Sequence, residues 1–245
     1  MLARLSAVVL VLCAALPTAS AAPIVSLSST GLGAPGAADP HYALVSAPAG
    51  PVSASKLPGA SGSGTPAFTT AYVVQQNANF PFDAFWASNN YSPPGAPASG
   101  WIAPTADVNT THPDGYYTYR TTFDLTGFNL ASASISGFVA ADNGVQVLLN
   151  GQFAASIYGP NGYTFTTTAF ANQGLSITSG FKPGINTLDF VVYNEVQASG
   201  NPTGLRVALS GNADPVPTPE PASLAVFGGG LIGLAGYIRR RRAIG

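Results

Sequence analysis

The sequence predicts an all-β fold, an antiparallel and jelly-roll-like β-sandwich. Several short stretches alternate apolar and polar residues, which is the period of a strand that buries one face. Turn signals rich in glycine, proline and asparagine separate these stretches about every ten residues. No stretch of comparable length before the C-terminal tail has a helical period. Together these patterns favour many short strands packed in two layers.

Composition narrows the classes of protein to which this chain can belong. Only 8% of its 245 residues are charged, where an ordinary soluble domain has about 25%. Between residues 22 and 218, nine acidic residues outnumber four basic ones, so this part of the chain is acidic. Nucleic-acid binding requires clustered lysine and arginine, and no nucleic-acid partner is therefore predicted. Cys13 is the only cysteine, so the chain cannot form an intrachain disulfide.

The first 22 residues have the pattern of a secretory signal peptide. Arg4 precedes an apolar run from residue 5 to 16, Pro17 ends the run, and small residues at 19–21 suit cleavage. The run is too short to span a bilayer. We expect signal peptidase to cleave after residue 21 or 22 and the chain to be exported.

The β-sandwich is predicted over residues 38–212, after a flexible segment at 23–37 that is rich in Gly, Ser, Pro and Ala. HYALVSA at 41–47 is the first strand candidate. In YYTYRTTFDL (116–125) alternate residues are apolar, and these are expected to face the core: Tyr117, Tyr119, Phe123 and Leu125. A segment of about 175 residues is long enough to bury a core of its own.

The strongest turn signal is Asn150-Gly151, inside VQVLLNGQFAAS at 145–156. Asparagine and glycine adopt positive φ readily, as a type I′ turn between antiparallel strands requires. The alternation continues in LDFVVYNEV (188–196) and LRVALSG (205–211). The sequence therefore predicts a hairpin at 145–156 and two further strands after it.

The C-terminal tail has three parts in a fixed order. A proline-rich linker at 213–221 contains Pro219-Glu220-Pro221, and residues 222–238 follow without a charge. The last part, residues 239–245, begins with four basic residues: Arg239, Arg240, Arg241 and Arg242. The uncharged part predicts a single transmembrane helix, whose end the arginines would keep in the cytoplasm.

These three parts resemble the PEP-CTERM sorting signal of Gram-negative bacteria. The resemblance implies that exosortase, a membrane transpeptidase-like enzyme, recognises Pro219, Glu220 and Pro221 and removes the tail. It also implies an inner-membrane intermediate, followed by delivery to the cell surface, the outer envelope or the extracellular matrix. Exosortase and signal peptidase are thus the expected partners during export, with the membrane contacted through the C-terminal helix before processing.

The body of the chain resembles the galactose-binding-like fold of carbohydrate-binding modules and of many PEP-CTERM ectodomains. The matching segments are YYTYRTTFDLTGF, AADNGVQVLLNG, FKPGINTLDFVVYN and PTGLRVALSG. A strand that ends in an LNG hairpin, followed by a GxNTLDF strand, recurs in that fold. The resemblance implies the fold alone, because many unrelated functions share it.

Sugar binding is one function that the residues allow. Sugars are held by aromatic rings under their C–H surfaces and by polar side chains on their hydroxyls. Trp86 and Trp101 lie in a loop-rich stretch, and Asp142 and Asn143 form a polar turn before the hairpin. These four residues are the candidate carbohydrate site. The alternative for both tryptophans is packing inside the sandwich, which also needs large aromatic side chains.

The sequence predicts no catalytic residue, no metal site and no cofactor. DVNTTHPDG (107–115) alternates oxygen-bearing side chains as a calcium loop does, but His112 and Thr118 stand where such a loop needs glycine and an acid. Galactose-binding-like folds often carry structural calcium, so the resemblance leaves that ion as a minor alternative at this loop. No GxSxG motif is present, and Asp124 and Asp189 are expected on exposed strand faces.

Three functional hypotheses follow. The leading one is a non-enzymatic structural protein of the cell surface or extracellular matrix, associated with exopolysaccharide or biofilm. The second is a carbohydrate-binding module that recognises exopolysaccharide. The third is a hydrolase, which would need two carboxylates at a suitable separation.

Overall fold

A computed structural model describes residues 20–48, 69–75, 86–88, 90–158, 164–197, 201–216 and 223–242. The chain divides into two compact units, Met1–Pro215 and Val216–Gly245. We call them the sandwich unit and the tail unit. The described strands all belong to the sandwich unit, and the tail unit contains one described helix.

The described part of the sandwich unit consists of eleven strands and one short helix. The strands are β1 (Ala22–Pro23), β2 (Ala38–Ser46), β3 (Thr70–Val73), β4 (Ile102–Ala103), β5 (Gly115–Asp124), β6 (Ser134–Asp142), β7 (Gly144–Leu149), β8 (Gln152–Ile157), β9 (Gly174–Ile177), β10 (Ile185–Asn194) and β11 (Gly204–Ala213). The helices are α1 (Thr167–Asn172) and, in the tail unit, α2 (Ser223–Arg242). The all-β prediction for the body of the chain is confirmed.

The strands pair into one continuous antiparallel sheet that folds over into two layers. Along the sheet the order is β8-β7-β10-β5-β2-β3-β4-β11-β6-β9, and β1 pairs with β11. We call β8, β7, β10, β5 and β2 the front layer, and β11, β6 and β9 the back layer. Strands β3 and β4 join the layers on one side, and the sheet ends at β8 and β9. Apolar side chains from both layers share one buried core, so the architecture is a sandwich.

The alternation in the sequence is what fills this core. The residues predicted to face it from β5 and its end are at most 1% exposed: Tyr117, Tyr119, Phe123 and Leu125. Strand β10 pairs with β5 along its whole length, from Ile185 opposite Asp124 to Asn194 opposite Gly115. The predicted inward face of β5 is therefore confirmed, and the further strand predicted at 188–196 forms most of β10.

Asp189 does not lie on an exposed face, contrary to the sequence-based expectation. It is 4% exposed, and Arg120, directly opposite on β5, donates two hydrogen bonds of 2.6 and 2.7 Å to its carboxylate. A carboxylate can be buried at this place because both its oxygens are bonded by one guanidinium. Asp124, which was also expected on an exposed face, is partly exposed at the end of β5.

The hairpin at Asn150-Gly151 forms as predicted. Both residues have positive φ, 52° and 77°, as a type I′ turn requires. The side-chain amide of Asn150 donates to the carbonyl of Gly180 at 3.0 Å and to Oδ1 of Asn186 at 2.8 Å. Its Oδ1 accepts from the backbone N–H of Thr187 at 3.1 Å. The turn is thereby fixed to the start of β10 as well as to its own two strands.

The N-terminal segment at 23–37 is not the flexible tail that its composition predicts. Strand β1 pairs with the end of β11, and Ile24 is buried, with its backbone N–H donating to the carbonyl of Gly211 at 2.9 Å. Glycine and serine weaken the strand pattern of this segment, yet the chain at its start pairs with the edge of β11. The sandwich therefore begins at residue 22 rather than 38.

Two hydroxyls in this segment bond backbone N–H groups of β11 that are not paired to a neighbouring strand. Ser29 and Thr30 are buried, and their hydroxyl oxygens accept from the backbone N–H groups of Leu209 at 3.0 Å and Val207 at 2.8 Å. The Thr30 hydroxyl also donates to the carbonyl of Gly100 at 2.7 Å. An uncovered strand edge leaves backbone polar groups without partners, so these side chains complete the hydrogen bonding of β11.

Several elements gave no usable sequence signal, namely β3, β4, β6, β9 and α1. In β6 the reason is Gly137, which weakens a strand pattern. A Cβ at this position would lie 2.1 Å from the carbonyl oxygen of Ala208 on β11, so the close approach of the two strands requires glycine. Helix α1 has only six residues, too few to establish a helical period.

The tail helix forms, but its end differs from the prediction. Helix α2 continues through Arg242 instead of ending at residue 238. Arginines are favourable in a last turn because the unpaired carbonyls there carry partial negative charge. Among the described residues, no helix combines the length and the apolar character that crossing a membrane requires. The transmembrane helix predicted at 222–238 is therefore not confirmed.

Replacing Thr30 with valine tests whether the N-terminal segment stabilises the sandwich. The change preserves shape but removes the hydroxyl that bonds Gly100 and Val207. We expect the free energy of unfolding to fall by about 2–3 kcal/mol, because a buried N–H and a buried C=O each lose a partner. Urea denaturation measures this. Thr111→Val, at an exposed position, is the matched control and should change stability little; equal stability of all three proteins would contradict the account.

Candidate functional site

The two tryptophans of the candidate carbohydrate site are buried. Trp86 is 1% exposed and Trp101 is 0% exposed. Their rings stack on each other with centroids 4.4 Å apart and planes 28° apart. The indole N–H of Trp101 donates to the carbonyl of Ala87 at 2.7 Å. Neither ring forms an exposed platform, and the packing alternative describes both residues.

The tryptophans belong to a second apolar cluster outside the main core. This back cluster joins Ala140 and Ala208, on the outer face of β6 and β11, to the residues that cover them: Val74, Trp86, Ala87, Trp101, Ala103, Val108 and Phe170. Trp86 lies directly over Gly204 at the start of β11, where a Cβ would be 2.6 Å from its ring. Residues 86–88 and 90–101 and helix α1 thus form a third layer behind the back layer.

Arg206 is the central polar residue of this region, and sequence reasoning missed it. It is 0% exposed on the outer face of β11, with its guanidinium 4.7 Å from the Phe170 ring centroid. It donates to Oγ of Ser99 at 3.0 Å and to three backbone carbonyls, those of residues 87, 88 and 91. Burial lowers the pKa of Arg206 to about 10, so it remains charged at neutral pH.

A sequence signal for this burial did exist. Strand β11 has apolar residues on both faces, because Val207 and Leu209 face the core while Ala208 faces the back cluster. A strand that is apolar on both faces is buried on both faces. An arginine within it must then be buried too, and must find several acceptors.

Asp142 lies at the end of β6 beside the stacked tryptophans. It is 5% exposed, and its Oδ2 accepts from the indole N–H of Trp86 at 2.9 Å, while its Oδ1 has no hydrogen-bond partner among the described residues. Burial raises the pKa of Asp142 to about 7, against a smaller lowering by the Trp86 hydrogen bond. This carboxyl is poised to titrate near neutral pH.

Asn143, the fourth candidate residue, lies between β6 and β7 and bonds to β10, to the residue after β10 and to the chain before α1. It is 3% exposed, and its Oδ1 accepts from the backbone N–H of Glu195 at 2.8 Å. Its backbone N–H donates to the carbonyl of Tyr193, and its carbonyl accepts from the N–H of Thr164. The peptide bond between Asp142 and Asn143 is cis. The structure therefore brings Trp86, Trp101 and Asp142 together and uses Asn143 to hold neighbouring chain segments.

In the loop at 107–115, the Asp107 side chain bonds within the loop, while Asp114 accepts from the side-chain amide of Asn201. Oδ1 of Asp107 accepts from the backbone N–H and the side-chain amide of Asn109, at 3.0 and 3.3 Å. His112 is buried, and burial lowers its pKa to about 4, so it is neutral at pH 7. Within the described residues, no group of three or more His, Asp or Glu side chains is placed to hold a metal ion.

The sorting residues divide between described and undescribed parts of the chain. Pro219, Glu220 and Pro221 lie outside the described residues. The four arginines form the last turn of α2 and are exposed. The guanidinium of Arg241 lies 5.4 Å from the ring centroid of Tyr237 on the previous turn.

These features define a β-sandwich protein, and its tail carries a more specific marker. Residues 217–242 match the PEP-CTERM protein-sorting motif. The match includes Pro219, Glu220, Pro221 and all four arginines, so the resemblance stated for the tail is confirmed. The chain thus carries the signal of an exported protein that exosortase sorts to the cell surface.

Comparisons of the whole chain give less. No curated protein matches it. Among solved structures it is similar to "Structure of a family 35 carbohydrate binding module from an environmental isolate", with 12% sequence identity and a TM-score of 0.25. That match covers 55% of this chain and 90% of the other.

The raised pKa of Asp142 predicts how stability depends on pH. Its folded pKa of about 7 exceeds the ordinary value of 3.8, so the neutral carboxyl favours folding and this contribution is lost as pH rises from about 4 to 7. His112, whose folded pKa is lowered, contributes in the opposite direction over part of that range. The informative quantity is therefore the difference in unfolding free energy between Asp142→Asn and wild type. The His112 contribution cancels in this difference because both proteins contain His112.

As pH rises from 4 to 7, we expect Asp142→Asn to gain stability relative to wild type by up to about 1.4 kcal/mol per pH unit. Above pH 7.5 we expect no further change in this difference. Asparagine still accepts from Trp86, so its packing is retained. Urea denaturation at several pH values measures the difference. Asp107→Asn, at an exposed site, is the control; a stability difference for Asp142→Asn that does not depend on pH would contradict a buried titrating carboxyl.

Proposed function

We propose that this protein is a non-catalytic structural component of the cell surface or extracellular matrix, delivered there by exosortase. The observation that carries the proposal is the PEP-CTERM match at residues 217–242. The sandwich unit is the part that would remain after processing. Association with exopolysaccharide, in a biofilm or on the cell, is the setting that we propose for it.

The parts of the tail suit distinct steps of sorting. Pro219-Glu220-Pro221 would be the recognised motif, between the sandwich unit and α2. The uncharged part of α2, residues 223–238, is about 24 Å long at ~1.5 Å per residue. This is shorter than a hydrocarbon core of about 30 Å, so we assign the decisive resistance to export to the four arginines. The tail would then hold the chain for processing rather than act as a lasting anchor.

The burial of Asp142 supports a non-catalytic role for the sandwich. This is the described acid with the most strongly raised pKa, which is the kind of group that an enzyme uses as a general acid. However, it is 5% exposed, and its Oδ2 accepts a hydrogen bond from the buried Trp86. A general acid must contact its substrate, and a carboxyl this buried and bonded to a core tryptophan is not presented to one; we therefore propose a structural role for this group.

Replacing Glu220 with alanine tests the sorting proposal. We expect export to proceed, because Glu220 lies outside α2, and we expect most of the protein to accumulate in the membrane fraction with its tail uncut. Cell fractionation and mass spectrometry of the C-terminal peptides measure both outcomes. Glu195→Ala, at the other glutamate of the chain, is the matched control and should be processed normally. Peptides from 222–245 on wild-type surface protein, or normal processing of Glu220→Ala, would overturn the proposal.

A further inference from the structure

The sandwich begins and ends at the same end of the molecule. Strand β1 pairs with the last residues of β11. The end of β5 contacts the chain after β1, since the backbone N–H of Asp124 donates to Oγ of Ser26 at 2.8 Å. Ile185, the first residue of β10, pairs with Asp124, and the backbone N–H of Asn129 donates to the carbonyl of Asp214 at 2.8 Å. We call this the exit end, and it consists of residues 24–27, 124–131, 181–185 and 213–215.

The chain that leaves the exit end is short. Pro215 is the last residue of the sandwich unit and forms a β-bridge with Phe128. Helix α2 begins at Ser223, eight residues later. At no more than ~3.5 Å per residue, the chain between them spans at most about 28 Å. Any membrane that holds the start of α2 is therefore within reach of the exit end.

The exit end presents apolar side chains to its surroundings. Val25 is 87% exposed and Ile185 is 56% exposed. Phe128, Leu130 and Phe181 pack only partly against the main core, so each leaves some apolar surface uncovered. Side chains of this kind gain burial when they insert between lipid headgroups and the start of the acyl chains. The exit end thus has the chemistry of a surface that contacts lipid.

The charges at this end do not favour an anionic surface. Among its described residues, Lys182 is exposed, and Asp124 and Asp214 are partly exposed. The hydroxyl and the backbone N–H of Thr126 donate to Asp124 at 2.7 and 2.8 Å, which lowers the pKa of Asp124 and keeps it charged at neutral pH. One cation beside two anions gives no net attraction to anionic lipid. Apolar contact with a zwitterionic lipid surface is therefore the interaction that this end supports.

The short connection makes a modest apolar surface sufficient. Two exposed aliphatic side chains would bind a membrane weakly if the sandwich approached it from solution. When α2 is held by the membrane, the contact becomes intramolecular, and a short connection gives it a high effective concentration.

We propose that the exit end of the sandwich docks on the lipid surface of the membrane that holds α2, with Val25 and Ile185 inserted among the headgroups. Removal of the tail would end the tethering and release the sandwich. The inference rests on the sorting proposal in one respect, because a membrane must hold the tail. It goes beyond that proposal by assigning a lipid-binding surface to the sandwich itself.

Fluorescence quenching on lipid vesicles tests the docking. The chain that signal peptidase would leave, residues 22–245, retains α2 and contains no cysteine. A single cysteine then carries a fluorophore, either as Thr126→Cys at the exit end or as Thr111→Cys in the loop before β5, at the opposite end. Vesicles of phosphatidylcholine contain a lipid with a nitroxide on its headgroup. We expect the nitroxide to quench the label at 126 and to leave the label at 111 unchanged, because β5 alone separates the two ends by about 30 Å at ~3.3 Å per residue.

Substitutions at the exit end identify the side chains that contact lipid. Val25→Asp and, independently, Ile185→Asp should each lower the ratio of docked to undocked sandwich about tenfold, measured by quenching of the label at 126. Val196→Asp is the matched control, because Val196 is 58% exposed and follows β10 at the opposite end. All three positions are exposed, so the melting temperatures should match that of the parent chain.

Vesicle flotation separates the docking from the attachment of the tail. A chain that floats with the vesicles while its label at 126 is not quenched would overturn the docking and leave the sorting proposal intact. A chain that does not float would overturn the docking together with the membrane step of sorting. Equal quenching at 126 and 111, unchanged quenching in both aspartate variants, or stronger quenching when phosphatidylglycerol is added would also contradict the proposal. Quenching that requires vesicles of native inner membrane would assign the exit end to a membrane protein instead of lipid.

Discussion

The hydrogen bonds of Arg206 are the interaction on which the back of this protein depends. A buried guanidinium costs a large desolvation energy unless acceptors surround it. Here the acceptors are Ser99 and three backbone carbonyls of the loop that covers β11, and none of them is charged. The guanidinium is thus satisfied only if this loop is in place. In return, Arg206 donates to the carbonyl of Tyr91 and adds a second donor to the carbonyls of Ala87 and Ser88, which also accept from Trp101 and from the backbone N–H of Tyr91. The loop and the arginine therefore stabilise each other.

Strand β11 is consequently enclosed on three sides. Its inner face joins the main core, its outer face carries the back cluster, and its free edge is covered by β1, β4 and the hydroxyls of Ser29 and Thr30. Trp86 and Trp101 fill the space between the loop and the sheet, and Asp142 accepts one indole N–H. Residues that could serve sugar binding are used for packing because this third layer must be filled.

Sequence alone predicts the parts of the fold whose signal is local. Alternation identifies β5 and β10, Asn150-Gly151 identifies the hairpin, and the ordered parts of the tail identify the sorting motif. The packing of residues 22–30 is not local, because serine and threonine there bond to a strand almost 180 residues away. The burial of Trp86 and Trp101 likewise depends on a partner, Arg206, that is distant in sequence. The register of β8 depends on a one-residue bulge at Ala154, which alternation cannot reveal.

Hydrogen exchange on Arg206→Met tests this central dependence most directly. In the full-length chain, the account predicts that the backbone N–H groups of Ala87 and Gly100, bonded to Phe165 and Thr30, exchange about a hundredfold faster than in wild type. Amides in β5 and β10 should keep most of their protection, and Lys182→Met, at an exposed position, should behave like wild type. Unchanged exchange of Ala87 and Gly100 in Arg206→Met would contradict the account, because the loop would then be held without the guanidinium.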